Sequence, residues 1–167
     1  WKCGLLSTSE LSTALDQARC RRCDSQLFAA ARAIGLYEGA LRESVLQLKR
    51  SPHLSSHVTS LLAAAARREP LNIRTKIVPV PLHSKRLRTR GFNQASVIAH
   101  ALSKSLRLPV DESSLLRVSH SEKHRAGLDA KGRRETVAGA FEVRCPRLVK
   151  DEDLLLVDDV FTTGATV

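Results

Sequence analysis

The sequence predicts an α/β protein: a parallel sheet flanked by helices, preceded by a small cysteine-rich segment. Two stretches carry that expectation. Leu154, Leu155, Leu156 and Val157 form a continuous apolar run bounded by charge, the pattern of a strand buried on both faces of a parallel sheet. Residues 76–82, KIVPVPL, form a second β-rich run, after which a basic loop and an amphipathic helix follow in turn. At 167 residues the chain can build one core of moderate size with a small appendage.

Three regions divide it: residues 1–27, rich in cysteine; residues 28–75, a helical connector or hood; and residues 76–167, the core. The chain begins at Trp1 and stops at Val167, inside a loop where a helix would normally open, so a fragment truncated at both ends is expected.

In the first region Cys20 and Cys23 stand as CRRC, the tight spacing with which two thiolates grip one Zn²⁺, and Cys3 is a third candidate ligand. Three is one short of a closed structural site, and free thiols in a reducing cytosol are an equal alternative. Cys145, beside Pro146, reads as a lone thiol near a turn.

An alanine-rich stretch from Leu27 to Gly35 leads into a helix with Leu41, Val45 and Leu48 on one face, closed by Pro52. A second helix places Val58, Leu61, Leu62, Ala65 and Ala66 inward and ends at Arg67, Arg68 and Glu69 before Pro70. His53, His57 and His100 read as surface or packing residues.

Pro79 and Pro81 mark the 76–82 run as a strand end or edge. The following HSKRLRTRGFNQ carries Lys85, Arg86, Arg88 and Arg90 ahead of Gly91, then a helix with Ala95, Ile98, Ala99, Leu102 and Leu106 on one face. Guanidinium forks beside a helix N-terminus suit a pyrophosphate. Ser114–Val118 and Ala140–Val143 read as strands joined by a long, polar, basic connection of the kind that is either a lid or a disordered span. Asp151, Glu152 and Asp153 form a surface turn before the last strand.

At the carboxyl end of that strand, where parallel sheets carry their ligands, Asp158 and Asp159 stand side by side. Neighbouring carboxylates repel unless something cationic or hydrogen-bond donating neutralises them, and a metal-bound polyol meets that need. Thr162, Thr163, Gly164, Ala165 and Thr166 follow, with the hydroxyls and glycine-permitted amides of a phosphate nest. Neither a P-loop nor a GxGxxG fingerprint is present.

Lys and Arg number 27 against 17 Asp and Glu, a formal charge of +10, which implies an anionic ligand or partner. One Trp, one Tyr and four Phe are scattered, a poor stacking platform for single strands. No apolar run approaches the roughly 18 residues of a membrane span and no signal peptide is evident, so a cytoplasmic location without membrane insertion is expected.

VDDVFTTGAT resembles the signature of type I phosphoribosyltransferases, and VPVPLHSKRLRTRGFNQA with the CRRC pair is similar to the ComF-type branch of that fold, which carries a zinc ribbon ahead of the catalytic region. The resemblance implies that Asp158 and Asp159 are the catalytic acids of a phosphoribosyl pyrophosphate site using Mg²⁺. It implies that residues 162–166 hold the 5-phosphate, and that Arg88, Arg90 and Gly91 hold the pyrophosphate. Lys123, Arg125, Arg133 and Arg134 would then lie on a flexible closing loop, where the chain departs from the family at Arg125, usually Gln, and near Thr136, usually Asn. The family's association with DNA uptake implies a second class of partner, single-stranded DNA or competence helicase machinery, bound by a catalytically inactive accessory.

Overall fold

The structure, a computed structural model, describes residues 27–119 and 139–161. Its elements are α1 (Gly39–Leu48), α2 (Ser56–Ala66), β1 (Lys76–Pro79), α3 (Ser84–Arg90), α4 (Gln94–Leu106), β2 (Leu115–Arg117), β3 (Phe141–Val143) and β4 (Leu154–Val157), with a 3₁₀ turn at Pro146–Leu148. The result is a mixed α/β architecture around a small parallel sheet.

Strand β1 lies at its centre. On one side it pairs in parallel with β4, from Lys76 opposite Leu154 to Pro79 opposite Val157. On the other, Val110 bridges Ile77 in parallel, with the Ile77 amide donating to the Pro109 carbonyl at 2.9 Å and the Asp111 amide to the Ile77 carbonyl at 2.8 Å. The prolines therefore mark a strand end rather than a sheet edge. Pro79, which has no N–H to give, is the last residue of β1, and Val80 resumes by donating to the Val157 carbonyl at 2.9 Å.

Helix α4 crosses back between β1 and the Val110 segment and lays its predicted stripe on the sheet: Ala95, Ile98, Ala99 and Leu102 are buried, and Leu106 packs at the rim. Ala99 and Ile77 are both fully inaccessible, because a methyl side chain lets the helix approach the strand closely. The expectation that β4 is buried on both faces needs correction. Leu155 and Val157 are buried with α4, whereas Leu154 and Leu156 are only half-buried, as the period-two alternation of a strand covered fully on one side requires.

Helix α2 starts at Ser55, whose hydroxyl accepts from the Val58 amide at 3.3 Å, and packs on α4 through Ala63 and Ala66. These small side chains centre its inner face between them, so Leu62 joins the core while Leu61, expected inward, is 42% exposed. At the end of α1, Leu48 is 1% exposed and lies in the same cluster, so the helical segment and the sheet share one core. Among the described residues no helix is long and apolar enough to cross a membrane.

Strands β2 and β3 form an antiparallel ribbon, Leu115 opposite Val143, and form the base of the predicted lid, whose residues 120–138 lie outside the described ones. Asp111 fixes the entry to this ribbon. Its Oδ1 accepts from the amides of Ser113 (2.9 Å) and Ser114 (3.0 Å) and from the Ser113 hydroxyl (2.9 Å), and its Oδ2 accepts from the Ser114 hydroxyl. Burial pushes the Asp111 carboxyl up, but these donors together outweigh it and hold it at about 2, below the ordinary 3.8.

A depressed carboxylate contributes stability above its unfolded value, and that stability fades as pH falls through the folded one. Asp111→Asn is therefore expected to cost about 1 to 2 kcal/mol at pH 6, allowing for solvent screening. The difference should shrink between pH 4 and pH 2. Urea unfolding of both proteins across that range checks it; a difference that stays constant with pH contradicts the assignment.

Candidate functional site

The stretch predicted as a basic loop after β1 is a short helix, α3. His83 starts it, its Nδ1 accepting from the Lys85 amide at 3.2 Å, and no glycine or proline interrupts Ser84–Arg90. Gly91 ends it in the left-handed region, φ 84°, with its amide donating to the Leu87 carbonyl at 2.8 Å. A side chain at that φ would be strained, which accounts for glycine here. The Gly91 amide is thus occupied by the cap, and Gly91 contributes the turn.

Lys85, Arg86 and Arg88 are exposed and Arg90 is half-buried. Lys85 and Arg88 stand three apart and Arg86 and Arg90 four apart, so like charges face each other along a helix that contains no acid. Each such pair costs a few tenths of a kcal/mol. A seven-residue helix loaded in this way is a surface on which a polyanion relieves repulsion.

Asn93 links that helix to the sheet. Its Oδ1 accepts from the Ala95 amide at 3.2 Å, capping α4, while its Nδ2 donates to the Val80 carbonyl at 3.0 Å. One side chain thereby pins the N-terminus of α4 to the end of β1. Sequence reasoning passed over Asn93, although an Asn just ahead of an apolar helical stripe is a recognised start signal.

The acid pair emerges from the neighbouring strand end. Because Pro79 pairs with Val157, the carboxyl ends of β1 and β4 lie side by side, and both α3 and the Asp158–Asp159 pair leave the sheet at that edge. Asp158 is exposed and Asp159 half-buried, and the Asp159 amide donates to Asp158 Oδ1 at 2.8 Å. Lys49, the residue that caps the C-terminus of α1, reaches Asp159 with its Nζ 3.3 Å from Oδ2. Amide and ammonium supply the donor and the cation that two adjacent carboxylates require. No spacing rule could have found Lys49, since the fold alone brings the end of α1 to the end of β4. Beyond the acids, Phe161 meets Phe28 edge to face, ring centroids 5.9 Å apart, and ties the segment before α1 to the same strand end.

Among the described residues no group of three or more His, Cys, Asp or Glu side chains could cage a metal. Two hard carboxylates suit a cation that keeps waters and draws its other ligands from a phosphate-bearing substrate, which is the habit of Mg²⁺. His100, read as a surface residue, is one, with Glu112 Oε2 at 3.3 Å from its Nε2 and both side chains about half exposed. Cys145 is a free, half-buried thiol before the 3₁₀ turn. Cys3, Cys20 and Cys23, the lid residues Lys123, Arg125, Arg133 and Arg134, and Thr162, Thr163, Gly164, Ala165 and Thr166 lie outside the described residues.

Comparison with known proteins adds sequence relatives to this geometry. The chain is 38% identical over 107 residues to Competence protein F of Haemophilus influenzae, covering 62% of this chain and 45% of that protein. It is 32% identical over 126 residues to DNA utilization protein YhgH of Escherichia coli K12, covering 73% and 54% respectively. Competence protein ComFC of Bacillus subtilis is 29% identical over 91 residues, covering 54% and 34%. The chain thus spans about half the length of the first two. No protein-family profile matches it, and no solved structure does.

Proposed function

The chain belongs to the ComF family, and from that premise we propose that it binds phosphoribosyl pyrophosphate with Mg²⁺ and transfers the phosphoribosyl group. The observation that carries this reading is the parallel pairing of β1 with β4, which delivers a cationic helix and a vicinal acid pair to one edge of one sheet. A phosphorylated pentose bearing a pyrophosphate needs those two chemistries side by side.

In this reading Asp158 and Asp159 accept hydrogen bonds from the ribose hydroxyls and hold the sugar in one orientation. Residues 162–166 bind the 5-phosphate. Arg88 and Arg90, with the turn at Gly91 setting their position, bind the pyrophosphate. The bond from the anomeric carbon to the pyrophosphate oxygen breaks with its electron pair leaving on the pyrophosphate, the sugar passes through an oxocarbenium-like state, and the acceptor's lone pair forms the new bond. Cationic donors fixed where that leaving charge grows stabilise the transition state by about 3 kcal/mol each when well placed. Mg²⁺, when bound, neutralises pyrophosphate oxygens. Lys123, Arg125, Arg133 and Arg134, on the segment between β2 and β3, would supply the closing cations that the resemblance implies, excluding water from the substrate.

Calorimetric titration of the intact protein with phosphoribosyl pyrophosphate tests the reading. Binding is expected with Mg²⁺ and not with a chelator, and Arg88→Ala with Arg90→Ala should weaken it about tenfold to a hundredfold, the loss of charge-assisted hydrogen bonds. Affinity unchanged by both substitutions, or no heat in the presence of Mg²⁺, refutes it.

A second reading is favoured by the exposure of Lys85, Arg86 and Arg88 and by relatives named for competence and DNA utilization. Here the chain serves DNA uptake as a binding accessory for single-stranded DNA. Its affinity would then fall steeply with salt and depend on those three cations. Binding no tighter than that of an unrelated basic protein disposes of it.

A further inference from the structure

We infer that Lys49 is a positioning residue of the acid pair, a counter-cation supplied by the chain that holds Asp159 while the site is empty and yields it when Mg²⁺ and the sugar arrive. The inference rests on the reading above and goes beyond it, because it assigns a role to a residue of the first helix. Lys49 stands at the C-terminal cap of α1, immediately after Leu48, which is 1% exposed and locked into the core. The base of its side chain is therefore fixed, whereas its end is free to turn: the Lys49 side chain is 33% exposed and that of Asp159 19%. A contact of 3.3 Å at that degree of exposure is strong enough to orient a carboxylate and weak enough to be exchanged.

Two consequences follow from charge alone. With Lys49 in place, Asp159 meets an arriving cation already neutralised, so cation binding is in competition with the ammonium. Without it, Asp158 and Asp159 present two adjacent negative charges with one counter-cation fewer, and attract a divalent ion more strongly. Lys49 thus sets how much Mg²⁺ the site demands.

The test is the Mg²⁺ concentration that half-saturates phosphoribosyl pyrophosphate binding, measured by calorimetry on the intact wild type, Lys49→Met and Lys49→Arg. Lys49→Met is expected to lower that concentration about twofold to fivefold, the equivalent of releasing a partly exposed ion pair. Lys49→Arg should remain within twofold of wild type. Thermal melting of the three proteins without metal separates this from a purely structural role, which would lower the melting temperature of Lys49→Met and weaken binding instead. Equal Mg²⁺ demand in Lys49→Met and wild type, or weaker binding with loss of stability, overturns the role of Lys49 and leaves the sugar site standing. Absence of Mg²⁺-dependent binding in the wild type overturns both.

Discussion

Replacing Asp158 and Asp159 together by asparagine abolishes Mg²⁺-dependent binding of phosphoribosyl pyrophosphate, with an expected loss of more than about a hundredfold, while the protein stays folded. The size follows from what is removed. In the proposed site each carboxylate oxygen facing a ribose hydroxyl would make a charge-assisted hydrogen bond of about 1.5 to 3 kcal/mol, and asparagine keeps the shape but loses the charge that a hard cation needs. The cost to folding is small because the ion pair of Lys49 with Asp159 is partly exposed and contributes no more than about 1 kcal/mol. Calorimetry beside a urea melt separates the effects; unchanged binding, or unfolding in proportion to lost binding, contradicts the assignment.

The largest effect on stability is expected at Ile77→Ala, about 3 to 4 kcal/mol in urea unfolding. Ile77 is fully inaccessible, belongs to the same buried cluster as Ala99 of α4, and lies on the strand that pairs with β4 on one side and Val110 on the other. Truncation leaves a cavity at the junction of all three, and Ala99 of α4, which carries only a methyl group, presents no side chain long enough to fill it. Ligand-binding capacity should fall with the folded fraction and not before it. A loss under about 1 kcal/mol would mean that β1 is not the centre of the core.

Much of this architecture was legible because it rests on periodicity. The α4 stripe and the end of α1 at Leu48 each announce a face, and each is where the pattern puts it, whereas the run LLLV announced a strand but not that Leu154 and Leu156 stay only half-buried. The acid pair at the end of β4 could be read because strand ends in parallel sheets follow a rule. What could not be read depends on contacts between distant segments. The inward face of α2 shifted away from Leu61 because Ala63 and Ala66 dock on α4, a choice made by the partner helix. Helix α3 was hidden within a run of like charges that argue against a helix until the caps at His83 and Gly91 are taken into account. Lys49 was invisible for the same reason as every tertiary ion pair: its partner is brought to it by the fold.

The most direct measurement is a crystal structure of the intact protein grown with Mg²⁺ and phosphoribosyl pyrophosphate. The account predicts the ribose hydroxyls against Asp158 and Asp159, the pyrophosphate on the side of Arg88 and Arg90, and Lys49 turned away from Asp159. A sugar bound elsewhere, or the acid pair still closed on Lys49 beside a bound ligand, would contradict it.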